Sequence, residues 1–227
     1  MLYLILIIAL LMLLYGPQLW VQHILNRYNR KAEENFTGTG GELARHLLDR
    51  YGLESVTVEK TELGDHYDPM SRSVRLSADK YDGRTLTAIT VAAHETGHAL
   101  QHAVKQPMFQ LRTRLAVIAV QSGKIGMLLL VSAPFLALLM RSPAAALIPV
   151  IGAFLVMGTG VVVQLITLPV ELDASFNKAL PILKQGYLRE DQFAAAQRIL
   201  RAAAWTYVAA SLASLLNFGR WLMVMRR

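Results

Sequence analysis

Five consecutive residues, His94-Glu95-Thr96-Gly97-His98, carry the clearest chemistry in the chain. Residues four apart on a helix share a face, so both imidazoles can reach one metal ion. Glu95, between them, can stand beside a metal-bound water and take its proton. This is the working arrangement of zinc-dependent peptide-bond hydrolysis. The bland alternative is two histidines and a glutamate on a solvated helix face. The preceding Leu86-Thr87-Ala88-Ile89-Thr90-Val91-Ala92-Ala93 is too apolar for that and suits a buried helix. Gly97, inside the motif, offers no side chain and would let another element approach closely.

A catalytic zinc site needs one more protein ligand than two histidines supply. Without cysteine in the chain, no thiolate can serve. The candidates are His23 and His66 upstream, His102 one turn past His98, and Glu171 far downstream. On a continuous helix His102 sits about 6 Å further along the axis, too far to close the same site easily, and reads better as a supporting or surface residue. Glu171 is better placed, because a helical hairpin brings its segment back to the side of the motif helix. Two histidines and one glutamate are a known zinc set. The competing reading is that Glu171 and Asp173 only cap a helix start, where negative charge is favoured. Asp173 is also a candidate to hydrogen-bond a ligand histidine. For the group that stabilises an oxyanion, His66, Tyr67 and Tyr187 are open candidates.

The elements that position these residues follow from hydropathy. The chain is 227 residues long, 54% hydrophobic and 17% charged, with a formal net charge of +7. Such a composition is too apolar for an ordinary soluble domain and predicts membrane spans. Leu2 to about Val21 is an uninterrupted apolar run with neither a basic start nor a cleavage site, which predicts an uncleaved N-terminal anchor over 1–22. Residues 23–113 are more polar and form the catalytic region. There the pattern predicts a helix over Glu42–Tyr51, strands around 55–60 and 73–77, a turn or loop at Asp65-His66-Tyr67-Asp68-Pro69, and the motif helix over about Gly83–Val104 with Asp82 as its N-cap. Two long apolar segments over 114–170, joined at Arg141-Ser142-Pro143, predict a transmembrane hairpin. Lys124 near the start of the first reads as snorkelling to the interface. A polar segment over 171–201, broken by Pro181 and Gly186, carries Glu171. A final helix over 202–227 ends in Arg226-Arg227, and a crossing is weakly favoured. The fold class expected is mainly α, with three to four spans and a small α+β zinc-peptidase domain.

Much of the positive charge flanks the apolar segments, so anionic lipid headgroups are the simpler partner and nucleic acid is not expected. Arg27, Arg30, Lys31, Arg112 and Arg114 outweigh the lone Arg141 of the hairpin tip. The positive-inside rule therefore puts residues 23–113 and 171–201 in the cytoplasm. Arg226 and Arg227 disagree with that orientation if the last helix crosses.

A set of longer motifs then carries a resemblance. Asp65-His66-Tyr67-Asp68-Pro69, Val74-Arg75-Leu76-Ser77, Tyr81-x-Gly83-Arg84, Val91-Ala92-Ala93-His94-Glu95-x-Gly97-His98-Ala99-x-Gln101-His102, and Leu168-Pro169-Val170-Glu171-x-Asp173-Ala174-Ser175 together resemble the YugP-like neutral zinc metallopeptidases of bacteria. The resemblance covers nearly the whole chain. It implies a multi-pass inner-membrane protein with a gluzincin-type site: His94, His98 and Glu171 as zinc ligands and Glu95 as the base. More widely the chain is similar to the HtpX-type membrane peptidases, in which an Asp typically follows the ligand Glu by four residues. Here Ser175 occupies that position, which puts a supporting role for Asp173 in doubt.

The function expected is a membrane-embedded zinc metalloendopeptidase. Its partners would be protein or peptide substrates, membrane proteins among them, and the bilayer, with room for a membrane partner or homo-oligomer. The alternatives are a non-hydrolytic scaffold or chaperone-like adaptor with a structural zinc and, ranked lower, a metal or proton transporter. The transporter needs ionisable groups deep in several spans, and only Lys124 comes near.

Overall fold

The computed structural model describes residues 2–30, 33 and 35–205. Helix α1 (Leu2–Tyr28) leads into α2 (Gly40–Arg50). The start of α2 is set by a capping box: Thr39 accepts from the backbone N–H of Glu42, and the Glu42 carboxylate accepts from the N–H of Thr39. Its buried face, Leu43, Ala44, Leu47 and Leu48, packs on the motif helix.

Three short strands follow: β1 (Thr57–Lys60), β2 (His66–Asp68) and β3 (Ser73–Leu76), in the order β1-β3-β2. β1 runs parallel to β3, and β2 antiparallel to it. Residues 66–68, expected as loop, are therefore a strand. The turn signal is real but belongs four residues later. The Asp68 carboxylate accepts from the N–H of Met70 and the hydroxyl of Ser71, closing the turn from β2 to β3. Asp65 meanwhile accepts from the N–H and hydroxyl of Ser77.

A single-turn α3 (Ala78–Tyr81) precedes α4 (Leu86–Ala103), the motif helix. Its cap is Thr85, whose hydroxyl accepts from the N–H of Ala88. Asp82, expected in that role, instead ends α3 and pairs with Lys60 at 2.7 Å. Threonine wins because it lies three residues before a free N–H at the true helix start. Thr87 ties α4 to α1 by donating to the carbonyl of Leu25. α4 is buried along nearly its whole length and forms the centre of the core.

The hairpin is α5 (Pro107–Leu139), a 3₁₀ turn (Pro143–Ala146) and α6 (Leu147–Leu172). α5 begins seven residues before the boundary expected at 114. Arg112 and Phe109 thus belong to the hairpin rather than to the polar region. α6 does not stop at Glu171. It continues as a π-helical segment (Asp173–Ala179) and then α7 (Leu180–Lys184). Pro181 does not break this run, because it stands in the first turn of α7 just after the widened π segment, where a missing N–H is tolerated. Gly186 does end it, with φ +109°. The chain is helical again over 190–205.

Among the described residues two helical runs are long and apolar enough to cross a membrane, Pro107–Leu139 and Pro143–Lys184. The fold class is thus mainly helical with a small sheet and two candidate spans, against the three to four expected. The C-terminal helix expected over 202–227 falls almost wholly outside the described residues.

Candidate metal centre

α4 presents His94 and His98 on one face, and the far end of α6 delivers Glu171 against them. The Nε2 atoms of His94 and His98 each lie 3.2 Å from Oε2 of Glu171. All three side chains are buried, Glu171 completely. Their donor atoms lie within 4.8 Å of one another.

Gly97 permits this approach. A Cβ at that position would stand 2.9 Å from the carbonyl oxygen of Ala174 and 3.3 Å from Cβ of Lys178. The motif helix therefore seats directly on the π segment. The backbone there is wider than an α-helix, and it starts two residues after Glu171.

The far side of each imidazole is tied down. Gln101 donates from Nε2 to the carbonyl of Val170 (2.9 Å) and to Oδ2 of Asp173 (2.8 Å). Its amide orientation is thereby fixed, and Oε1, 2.9 Å from Nδ1 of His98, accepts the imidazole proton. Ser175 Oγ lies 3.1 Å from Nδ1 of His94 and 3.5 Å from the carbonyl of Leu200. Donating to Leu200, it accepts from His94. In both neutral rings the proton is then on Nδ1, and the bare lone pair of Nε2 points at a carboxylate oxygen.

Three electron-rich atoms converging in a dry interior repel one another unless a cation joins them. A tetrahedral zinc with bonds of about 2.0–2.1 Å holds its donors roughly 3.3 Å apart. The two 3.2 Å spacings match that separation. The residues present fit a divalent metal of the zinc type.

Glu171 is held from its other side as well. Its Oε1 pairs with Arg112 at 3.3 Å, outside good hydrogen-bond geometry. Arg112 in turn lies over the ring of Phe109. Sequence reading used Arg112 only as a topological charge. Nothing in its type or spacing marks it as a partner of Glu171, because the helix that carries it starts seven residues before the boundary expected from sequence.

Glu95 is buried beside the cluster. Burial pushes its carboxyl up to about 7, and the negative charge of Glu171 adds to the shift. A carboxyl in that position can accept a proton and return it.

The remaining candidates go elsewhere. His102 turns to Tyr67, whose hydroxyl lies 2.8 Å from its Nδ1, and stacks on Phe109. His66 bonds the carbonyl of Gly64, and His23 is exposed on α1 near Arg27 and Arg30. Tyr187 bonds His46 and Arg50 on α2, away from the cluster. Asp173 touches neither histidine and reaches His98 through Gln101. The direct support of His94 comes from Ser175, at the position where the wider class carries Asp.

No solved structure matches the chain. A "Putative membrane protease YugP" from Bacillus subtilis (strain 168) is 38% identical over 233 residues, covering 99% of this chain and 96% of that relative. The family model described as "Putative neutral zinc metallopeptidase" matches residues 3–226. With the match running through α1, the motif helix, the hairpin and Glu171 alike, the chain belongs to that neutral zinc metallopeptidase family.

Proposed function

We propose that the protein is a membrane-bound zinc endopeptidase in which His94, His98 and Glu171 hold the metal and Glu95 is the general base. The observation that carries this reading is the convergence of both Nε2 lone pairs on Oε2 of Glu171, with each Nδ1 proton already committed to Ser175 or Gln101. When bound, zinc supplies Lewis acidity: it acidifies water to a pKa of about 7 and polarises a carbonyl oxygen.

The chain's own residues do the rest. Glu95 takes a proton from the attacking water and returns it to the nitrogen of the departing amine. Ser175 and Gln101 hold the imidazoles in the tautomer that presents Nε2. Arg112 occupies Oε1 of Glu171 and leaves Oε2 to the histidines. The apolar surround of α4 excludes bulk water and strengthens each of these charge interactions.

Membrane attachment is supported by the two apolar helices, whose large hydrophobic side chains are widely exposed, and by the name of the relative as a membrane protease. We place α1 in the bilayer as a further anchor. On the excess of basic residues at 27–31 and 112–114, the metal centre lies at the cytoplasmic face of an inner membrane.

The test compares wild type with Glu95→Gln in detergent, measuring bound zinc and cleavage of an unfolded protein. Stoichiometric zinc in both, with cleavage lost only in the variant, is expected. Equal cleavage in both would overturn the role of Glu95. Failure of either to retain zinc after supplementation would overturn the ligand set.

A further inference from the structure

A cavity of about 430 Å³ opens beside the end of α4, where the β2–β3 turn and the start of α5 meet it. Tyr67, Arg72, His102, Lys105, Gln110 and Arg114 contribute its polar lining, and no carboxylate lines it. Among the described residues, none of Arg72, Lys105 and Arg114 forms an ion pair, although most other basic side chains of this region do. Three cations gathered around one hollow, with no carboxylate beside them, set up a positive field that an anion would neutralise.

Backbone conformation adds an independent observation. Arg72 and Lys105 have φ of 52° and 53°, in the left-handed region that glycine or asparagine occupies more easily. Two long basic side chains stand at strained turns, and both turns open onto the same cavity. The field is felt by its neighbours: besides burial, the charge of Arg72 lowers the pKa of His102.

The position selects the anion. Lys105 lies in the turn between α4 and α5, and Arg114 lies in α5 itself. Val117 and Ile118, about one turn further along α5, are exposed apolar side chains, as is Val104 beside Lys105. Cationic side chains directly above lipid-facing ones meet the phosphate layer of a bilayer.

We infer that the cavity between the β2–β3 turn, the end of α4 and the start of α5 binds the phosphate of an anionic membrane lipid through Arg72, Lys105 and Arg114. The inference rests on α5 crossing the membrane, as proposed above. Gln110 and the wall formed by Tyr67 and His102 supply polar surface for the rest of the headgroup. Because His102 is one turn beyond His98 on α4, a lipid held there steadies the end of the motif helix against the hairpin.

The experiment uses the full chain in detergent, with native mass spectrometry reading bound lipid after addition of phosphatidylglycerol or phosphatidylcholine. Wild type is expected to retain phosphatidylglycerol selectively. The triple variant Arg72→Gln, Lys105→Gln, Arg114→Gln is expected to lose about fivefold in affinity per charge removed, on the order of 100-fold in all. All three residues are exposed, and at the left-handed turns of Arg72 and Lys105 glutamine asks no more than the residue it replaces. A charge-keeping triple, Arg72→Lys, Lys105→Arg, Arg114→Lys, should bind like wild type.

Equal retention of both lipids, or unchanged binding by the glutamine triple, would overturn the inference. Displacement of phosphatidylglycerol by millimolar inorganic phosphate would reassign the cavity to a free anion. A triple variant that keeps the lipid but raises KM only for peptides with a free C-terminal carboxylate would overturn the inference and assign the cavity to substrate. Carbonate extraction of native membranes separates the two levels. Release of the protein would overturn the membrane reading, whereas an unreleased protein without lipid selectivity overturns only this site.

Discussion

Gln101 stands between His98 and Asp173, its Oε1 2.9 Å from the imidazole Nδ1 and its Nε2 2.8 Å from the carboxylate. A carboxylate two residues after Glu171 is thus relayed to the motif helix through an amide, rather than by direct contact. Replacing Gln101 by leucine removes the acceptor for His98 and leaves Asp173 with its other donors, Gln106 and Asn177. Zinc affinity should fall by about 10–100-fold. Competition against a chelator of known affinity measures it, and an affinity within twofold of wild type would refute the relay.

The contact of Gly97 with the π segment sets a steric test. Gly97→Ala places a methyl group 2.9 Å from a backbone carbonyl that cannot rotate away. A loss of about 1–3 kcal/mol is expected, although alanine is the better helix former. Thermal unfolding in detergent reads the stability. Because the displaced element carries Glu171, zinc retention should drop with it. An alanine variant as stable as wild type would show that the two helices are not in contact.

Thr85 and Asp82 make a matched pair for the start of the motif helix. Thr85→Ala removes the hydroxyl that accepts from Ala88 and should cost about 1 kcal/mol. Asp82→Ala loses an exposed pair with Lys60, worth at most a fraction of that. Denaturant midpoints of the two variants should differ in that order; the reverse order would restore Asp82 as the cap.

The pH dependence of stability has a local source in His102. Burial, and then the charge of Arg72, lowers its pKa below the ordinary 6.5. The unfolded chain takes up the proton first, so stability contributed by neutral His102 is full above pH 6.5 and declines as pH falls from 6.5 towards the lowered folded value. Substituting His102→Gln should flatten melting temperature against pH between 7.5 and about 5.5. Equal slopes for both proteins would place the effect elsewhere.

Local signals settled much of this protein. The His94-Glu95-x-x-His98 spacing needs only a helix to bring two imidazoles to one face, and α4 is that helix. Apolar length predicted the hairpin with its turn at Arg141-Ser142-Pro143, since a long run of Leu, Val and Ala has few other ways to be satisfied. The small sheet was legible where side chains alternate, at β1 and β3. It was missed at β2, because three residues between turn formers are too few for a period.

What tertiary structure decided is the identity of partners brought from afar. Glu171, 73 residues after His98, meets it because the hairpin returns and Gly97 leaves room; sequence could rank Glu171 first but could not close the distance. Arg112 on its second oxygen, Ser175 on His94 and Gln101 on His98 were not separable from ordinary helix residues by type or spacing. A side chain's role at a metal centre depends on direction within an ångström, and direction is fixed only when α4, α5 and the π segment pack together. The π segment itself illustrates the point. Nothing in Asp173-Ala174-Ser175-Phe176-Asn177-Lys178-Ala179 announces a widened turn. Yet that turn lets one backbone carry Glu171 to the histidines and Ser175 to the far side of one of them.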